Sequence, residues 1–365
     1  MLNPIELPRY LIARGLLSPE SVVSGDLLIR DMSSRNRDYA VEVRSGLSLF
    51  VKQALDPDDR YLQIEARRYS QLASLLPSVM PRFVLWDEEL AVLVVELVGD
   101  GDVHSTQAAA SGKDAPAIGA AMGRAMGALH GSTRVAAGIP VDEPAILPGV
   151  LSLHRPDVSL FRDASAAAIE LVEIIQQDDW LPALLDELRR NYHFVALIHH
   201  DAKWDNFVIE RADAGLRTRL VDWELAGIGD PAWDVGSVLA GYLSSWLFSI
   251  PVSGGVPPSH LLGLAERPVA AMRPSVQAFW AAYLDALGPV PPDDPPASLL
   301  QRALLFCAGR LLQTAYEACQ VADGVSSACV LHLQVAANIM RMPAVAAHRL
   351  LGLPTAPAGV DVLSR

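Results

Sequence analysis

The first quarter of the chain carries a strand-like alternation of apolar and polar residues. In YAVEV (39–43), and over part of LSLFVKQ (47–53), side chains of the two kinds alternate, which indicates half-buried strands joined by the Arg-Ser-Gly turn between them. LAVLVVELV (90–98) is apolar almost throughout and is typical of a strand buried on both faces. We therefore expect residues 27–98 to be mostly strand.

Helical periodicity covers most of the remaining chain. DRYLQIEARRYSQLASLL (59–76) predicts a helix inserted among the strands, and a short helix is predicted within residues 5–17. From about residue 104 the chain is Ala-rich and helical, with Pro/Gly/Ser-rich breaks that predict loops. A chain of 365 residues also exceeds the size of one hydrophobic core. The prediction is an α+β protein with two lobes, residues 1–98 and 99–365.

Three short apolar segments interrupt the helical part. VALI (195–198), NFVI (206–209) and RLVD (219–222) predict strands, and the polar stretch ERADAGLRT predicts the hairpin loop between the last two. The loop HHDAKWDN (199–206) joins the first two of these strands. Its polar side chains lie between buried strands, so it is either a surface turn or a site.

Three oxygen-bearing side chains are expected to converge at this loop. Asp201 and Asn206 lie near its two ends, and Asp222 closes the next strand of the hairpin. Carboxylate and amide oxygens suit a hard cation such as Mg²⁺ that also shares phosphate oxygens. The alternative is that these residues only make turns. That explains Asp205 and Asn206, but not Asp222, which ends an apolar strand and precedes Trp223.

A second candidate lies in the N-terminal lobe. Glu65 falls on the apolar stripe of the 59–76 helix, where a carboxylate is costly without a cation. Lys52, on the strand just before that helix, is the obvious partner. A Lys–Glu pair is more often a solvated surface pair, but the position of Glu65 favours a buried functional one.

Charge and composition narrow the function classes. The net charge of −13 argues against nucleic-acid binding, which relies on Lys and Arg. The uncharged stretch from Val235 to Ala265 is broken by Gly, Ser and Pro before it reaches the length of a membrane span. The N-terminus lacks a signal-peptide pattern, and the three cysteines form no CxxC. We expect a cytoplasmic protein that binds neither nucleic acid nor membrane.

Together these motifs resemble the aminoglycoside phosphotransferase and choline kinase group and, more distantly, the protein kinases. The run from His199 to Asn206 has the spacing of the kinase catalytic loop H-R-D-x-x-x-x-N. Asp222-Trp223-Glu224 stands where kinases have D-F-G. Asp234, in GDPAWDVG, is similar to the aspartate that braces the catalytic loop, and GRAMGALH (123–130) resembles the helix before it. The resemblance spans roughly residues 25–340.

The resemblance implies a bilobal kinase-like fold, ATP or GTP with Mg²⁺ as cofactors, and a role for each candidate residue. Asp201 would deprotonate the acceptor hydroxyl, and Lys203 would touch the γ-phosphate. The nucleotide and its metal would be held by the residues Lys52 (α/β-phosphates), Glu65 (partner of Lys52), Asn206 and Asp222 (Mg²⁺), and Glu96 to Val98 (adenine, through their backbone).

Two departures from the family pattern bear on substrate and nucleotide binding. The phosphate loop, Met32 to Arg37, has no glycine, so Ser33 or Ser34 would contact phosphate through side chains. An arginine-rich hairpin tip without a phosphate role is the equal alternative. His200 and Lys203 replace the Gly and His usual in aminoglycoside enzymes, which argues against an aminoglycoside acceptor more than against the reaction.

Three functional hypotheses remain open at this point. The first is an ATP/Mg-dependent O-phosphotransferase acting on a hydroxyl of a small natural product or metabolite. The second is a kinase for Ser/Thr of a ribosomal precursor peptide in lanthipeptide-type biosynthesis, working with a partner lyase. The third is a kinase-fold binding subunit without turnover. Aromatic residues of the helices 235–248 and 269–287 are candidate walls of an acceptor pocket.

Overall fold

The structure is a computed structural model, and the chain divides into two compact units. Met1–Ser105 and Asp205–Ala226 form the first, and Thr106–Trp204 and Gly227–Arg365 form the second. The sequence-based division at residue 98 stays a prediction. The structure describes residues 1–33, 36–56, 59–99, 112–132, 147–158, 164–177, 179–212, 215–251, 262–289 and 294–354.

The first unit is built on a five-stranded antiparallel sheet in the order β1-β2-β3-β5-β4. The predicted strands and the inserted helix are confirmed. The strands are β1 (Leu27–Asp31), β2 (Arg37–Val43), β3 (Leu49–Gln53), β4 (Phe83–Asp87) and β5 (Val92–Glu96). The helices are α1 (Leu7–Ala13), α2 (Pro19–Val23) and α3 (Arg60–Leu72).

Strand alternation gives the sheet two chemically different faces. Successive side chains of a strand point to opposite faces. One face is apolar and packs with Leu7 and Leu11 of α1 in a core that includes Tyr39, Val41, Val51 and Val94. The residues between them, among which are Asp38, Phe50, Lys52 and Val95, occupy the opposite face. The alternation seen in the sequence thus separates the core from a face that carries both charged and apolar side chains.

The hairpin of the first unit differs from its prediction. Strands β7 (Phe207–Ala212) and β8 (Gly215–Leu220) pair in register from Phe207↔Leu220 to Ala212↔Gly215. Most of ERADAGLRT, predicted as a loop, is therefore strand. Its charged side chains are accommodated because they pair with each other, as Arg217 does with Glu210 at 2.8 Å. The short 3₁₀ turns Trp204–Asn206 and Trp223–Leu225 lie at the two ends of this hairpin in the sequence.

The second unit is mainly helical and carries a two-stranded ladder, β6 (Ala196–Ile198) with β9 (Gly227–Gly229). Strand β9 was not predicted from the sequence. The helices are α4 (Ala115–Ser132), α5 (Ala166–Gln176), α6 (Trp180–Arg190), α7 (Pro231–Phe248), α8 (Arg273–Leu287), α9 (Pro296–Cys319), α10 (Ser327–Arg341) and α11 (Pro343–Ala346). Further single turns span Gly149–Ser152, Leu262–Leu264, Val269–Met272 and Ala347–Leu351.

A glycine stripe brings α4 against α8. Gly119, Gly123 and Gly127 recur every four residues and so share one face of α4. A Cβ at Gly123 would overlap the carbonyl oxygen of Phe279, and one at Gly127 would overlap that of Tyr283. The backbones approach closely because these positions carry no side chain. This packing fixes the position of the last turn of α4, which carries His130.

Within the described part of the chain, no single helix has the length and apolar composition needed to span a membrane. One pair of helical segments, Ser327–Arg341 and Pro343–Leu351, meets the length and composition test together, with a bend of 116° between them.

Candidate active site

Lys52 forms two ion pairs on the face of the sheet opposite the core. Its Nζ lies 2.8 Å from Oε2 of Glu65 on α3 and 2.9 Å from Oδ1 of Asp222 after β8. The Glu65 side chain is 2% exposed and that of Lys52 13%. The buried Lys–Glu contact predicted from the apolar stripe is therefore present, and Asp222 joins it.

The two carboxylates keep Lys52 charged. Burial alone would lower the pKa of its ammonium, but the charges of Glu65 and Asp222 outweigh burial and raise that pKa well above its usual range. Burial raises the pKa of the Glu65 carboxyl to about 7, although the Lys52 charge acts in the other direction. Lys52 is therefore protonated at neutral pH, in a largely desolvated position between two carboxylates.

A cavity of about 330 Å³ opens on the same face. One part of its wall is apolar and includes Phe50, Val95 and Val98, and another part carries Lys52 and Asp222. This volume lies within the range of small-molecule sites. A flat apolar group joined to a polyanion matches both parts of the wall.

Asn206 and Asp222 lie side by side at one end of the β7–β8 hairpin. The amide N–H of Val221 donates to the carbonyl oxygen of Asn206 at 3.0 Å, which extends the ladder by one step. Asp222 has φ 67°, a left-handed conformation that is uncommon for residues other than glycine. Such strain concentrates at functional sites. Both side chains line the cavity.

The residues present fit a metal ion that arrives with phosphate. Asn206 and Asp222 offer an amide and a carboxylate oxygen, the donors that Mg²⁺ prefers. Across the described ranges, no three His, Cys, Asp or Glu side chains group as a metal cage. A cation at this point would complete its coordination with water and phosphate oxygens, as Mg²⁺ usually does.

Asp38 is a cavity residue that the sequence analysis missed. It stands opposite Lys52 in the β2–β3 register and is 8% exposed. Its Oδ1 has no hydrogen-bond partner in the part of the chain that the structure describes. Burial raises the pKa of its carboxyl to about 6, against the charge of Lys52 and with the help of the charges of Asp222 and Asp31.

Asp38→Asn is expected to stabilise the protein at neutral pH. The pKa of the carboxyl is about 6 in the folded state and near 3.8 unfolded, so the wild type loses unfolding free energy as pH rises through that window. The asparagine amide does not ionise, so the variant keeps this unfolding free energy. We expect Asp38→Asn to exceed the wild type by about 1–3 kcal/mol in unfolding free energy at pH 7.5, and the difference to vanish by pH 4. Urea unfolding at both pH values measures it.

Glu42→Gln is the matched control, on the same strand and face but with a side chain 40% exposed. We expect a change within about 0.5 kcal/mol for it at either pH. An Asp38→Asn protein with no pH-dependent gain would show that the buried carboxyl is not strained.

In the second unit, Asp201 is held between two cations. Its Oδ2 lies 2.9 Å from Nζ of Lys203, and its Oδ1 lies 3.2 Å from Nη2 of Arg310 on α9. The Lys203 amide also donates to the Asp201 carbonyl oxygen at 2.8 Å. Arg310 did not emerge from the sequence analysis. The available signal was a single charge within the apolar run ALLFCAGRLL of a helix.

Asp234 fixes the backbone that leads into Asp201. It is fully buried and accepts from the amide of His199 at 2.6 Å and from that of His200 at 2.9 Å. His130, also fully buried, lies 3.3 Å away through Nε2. His200 has φ 64°, and these bonds hold it in that left-handed conformation. The contacts agree with the bracing role that the resemblance implies for Asp234.

The remaining predicted residues lie as follows. Ser33 connects β1 to β2, and its Oγ accepts from the amide of Asp38 at 3.2 Å. Ser34 lies outside the described residues. Glu96 and Val98 line the cavity, with Oε2 of Glu96 3.3 Å from Nη1 of Arg219. The roles of these residues in nucleotide binding stay predictions.

The aromatic residues proposed as acceptor-pocket walls are mostly interior. Tyr242 and Tyr283 are 2% and 0% exposed and Trp280 is 6% exposed, whereas Phe248 is 59% exposed. The hydroxyl of Tyr283 lies 3.1 Å from Nδ1 of His130, so this hydroxyl already has a hydrogen-bond partner in the core. These residues shape the helical unit rather than offering a polar surface to a ligand.

Comparison with protein families gives one match over most of the chain. The model of the phosphotransferase enzyme family covers residues 31–256, more than half of the 365. Among curated proteins, mouse acyl-CoA dehydrogenase family member 10 is 32% identical over 136 residues, which are 37% of this chain and 11% of that protein. The aligned stretch thus spans about a tenth of that relative's length.

Solved structures of small-molecule kinases share the fold. The ethanolamine kinase of Plasmodium vivax superposes with a TM-score of 0.53 at 14% identity and covers 93% of this chain and 89% of its own. A microcompartment-associated aminopropanol kinase gives 0.51 at 14% identity, covering 94% and 97%. An amicoumacin kinase in complex with AMP-PNP and Ca²⁺ gives 0.50 at 12% identity, covering 95% of each chain. The predicted kinase-like fold is confirmed.

Proposed function

We propose that this chain, which belongs to the phosphotransferase enzyme family, transfers the terminal phosphate of a nucleoside triphosphate to a hydroxyl of a small metabolite or natural product. The observation that carries the proposal is the cluster of Lys52, Glu65 and Asp222 on a cavity with an apolar wall. A buried, permanently charged lysine held by two carboxylates is suited to a polyphosphate.

The first unit supplies the nucleotide site in this proposal. Lys52 binds phosphate oxygens, and Glu65 holds its ammonium in place. Phe50, Val95 and Val98 pack against the base. Asn206 and Asp222 hold Mg²⁺, which neutralises phosphate charge when bound. The proposal takes ATP as donor, with GTP as the alternative. The complex of the amicoumacin kinase with AMP-PNP and Ca²⁺ supports a nucleotide and a divalent metal in this fold.

The second unit supplies the base. Asp201 accepts the proton of the acceptor hydroxyl as its oxygen attacks the terminal phosphorus, and Lys203 provides positive charge near the phosphate. Phosphoryl transfer requires little covalent participation by the protein and depends on the positioning of the reactants and on charge neutralisation. The backbone bonds of Asp234 to His199 and His200 fix the loop that presents Asp201.

Nucleotide turnover with Mg²⁺ against a panel of acceptors tests the proposal. The panel holds aminoglycosides, macrolides, amino alcohols, hydroxy acids and a Ser/Thr-rich peptide. We expect turnover with one class of small molecule. Turnover with peptide alone, in the presence of a partner lyase, would favour the precursor-peptide kinase instead. Tight nucleotide binding without turnover on any acceptor would favour a binding subunit.

Lys52→Met is expected to lower turnover about 10²–10³-fold, the order of loss that follows when one preorganised donor to developing charge is removed. Lys113→Met is the matched control, since Lys113 is exposed, and it should leave turnover unchanged.

Asp222→Ala is expected to abolish transfer in the same turnover assay, because it removes a proposed ligand of the metal ion. An active Asp222→Ala protein would contradict its assignment as a metal ligand.

A further inference from the structure

Arg310 is a buried arginine to which the proposed reaction assigns no task. It lies within α9 among apolar residues, and its side chain is 9% exposed. Removing a guanidinium from water is costly unless good partners replace the water. The groups that contact Arg310 therefore indicate the function of its side chain.

Within the described residues Arg310 has two ion-pair partners, both carboxylates, and the two contacts differ in length and exposure. Nη2 lies 3.2 Å from Oδ1 of Asp201, whose side chain is 16% exposed. Nη1 lies 3.6 Å from Oε1 of Glu317, whose side chain is 49% exposed. The second contact is long and solvated, so an incoming anion can replace it. A guanidinium offers paired N–H donors that match a carboxylate better than any other side chain does.

The charges around Asp201 set a condition on the acceptor. If Asp201 takes the hydroxyl proton, the acceptor atoms next to that hydroxyl come within reach of Arg310 and Lys203. Asp201 offsets one of these two cations, and the half-exposed carboxylate of Glu317 is screened by solvent. A cationic group there would therefore meet a net positive charge, which is unfavourable even with protein screening. A carboxylate there would meet a net charge of opposite sign. The geometry favours an anionic acceptor over a cationic one.

We propose that the acceptor carries a carboxylate close to its hydroxyl and that Arg310 binds this carboxylate. This inference rests on the proposed function and names its substrate class, a hydroxy acid. Arg310 would exchange its contact with Glu317 for the carboxylate of the acceptor and keep its contact with Asp201, which would then be placed to take the hydroxyl proton. The acceptor oxygen forms a bond to the terminal phosphorus, the bond to the nucleoside diphosphate breaks, and Asp201 receives the proton.

Three compounds that share a carbon skeleton test the charge preference directly. Glycerate, glycerol and 3-amino-1,2-propanediol differ in one terminal group, which is anionic, neutral or cationic. Their binding is measured by calorimetry, with and without Mg²⁺ and AMP-PNP. We expect glycerate to bind the wild type about tenfold or more tighter than glycerol, and the amine more weakly than either.

Variants at one helix separate recognition from stability. Arg310→Met should lose the glycerate advantage and keep glycerol binding, and Arg310→Glu should favour the amine. Arg310→Lys keeps the positive charge but lacks the paired N–H donors of the guanidinium, so it should retain part of the glycerate advantage. It takes the place of Arg310→Met in the test if the methionine variant fails to fold. Arg302→Met is the matched control on α9, because Arg302 pairs with Asp230 at 3.1 Å and Asp294 at 2.7 Å. It should leave the ranking unchanged.

Several outcomes would overturn the inference. They are equal binding of the three compounds by the wild type, a preference for the amine, no glycerate binding at any concentration tested, and a ranking unaltered by Arg310→Glu. Nucleotide binding is measured in parallel, with Lys52→Met as its reference. A wild type that binds no nucleotide would contradict the proposed function. In that case the titrations of the three compounds without nucleotide would still decide whether the protein prefers an anionic compound.

Discussion

Asp201→Asn is expected to lower kcat by about 10²–10⁴-fold while leaving the Kd for nucleotide unchanged. The amide keeps the size of the side chain but cannot accept the proton of an acceptor hydroxyl, and general-base catalysis contributes a factor of this order. Nucleotide affinity should persist because Lys52, Asn206 and Asp222, the proposed ligands of the nucleotide and its metal, are intact. Steady-state turnover and calorimetric nucleotide binding measure the two quantities.

Asp205→Asn is the matched control for Asp201→Asn. It lies in the same loop, is exposed, and makes the same chemical change. We expect its kcat to stay within about twofold of the wild type, as for a surface substitution away from the site. Equal loss in both variants would mean that the loop, and not the Asp201 carboxylate, carries the effect.

Local pattern was enough to predict those parts of the site whose burial shows in the sequence. Glu65 was predicted as a site residue because it interrupts an apolar helical stripe. A carboxylate buried there needs a cation nearby, which made Lys52 its predicted partner. Asp222 stood out because it ends an apolar strand. The contacts of both with Lys52 are present. The sheet followed from period-two alternation, and the hydrophobic core occupies one of its faces.

Other features depend on pairing that the sequence does not reveal. Asp38 lies in a polar stretch, and only the register of β2 with β3 places it beside Lys52. Arg310 is more than a hundred residues from Asp201, so no local pattern links them. The strands of the β7–β8 hairpin extend further than predicted, because the polar side chains of ERADAGLRT give no apolar alternation to detect.

Asp234→Ala is expected to lower the unfolding free energy by about 3–5 kcal/mol, the cost of breaking a buried charged network. Its carboxylate accepts from the amides of His199 and His200 and lies beside Nε2 of His130, and all of these groups are shielded from water. Without the carboxylate those donors lose this acceptor, and a buried donor left unsatisfied is costly. Urea unfolding at neutral pH measures the change.

The pH dependence of stability should show the same contribution. Burial acts to raise the pKa of the Asp234 carboxyl, but the hydrogen bond from His130 and the charges of the histidines outweigh it and hold the pKa below its usual value. For a lowered carboxyl pKa, the stabilisation is complete above the unfolded value and is lost as pH falls below about 4. The wild type should therefore approach the stability of Asp234→Ala in acid.

Ser237→Ala separates this network from the general cost of a buried polar change. Ser237 lies one turn further along α7, is 2% exposed, and donates to the carbonyl oxygen of Trp233 at 2.9 Å. Its loss should cost about 1 kcal/mol, since it removes the donor together with its hydrogen bond. Asp234→Asn keeps one acceptor oxygen and should fall between the two variants. If Asp234→Ala were no more destabilised than Ser237→Ala, the left-handed backbone at His200 would have to be held by other contacts.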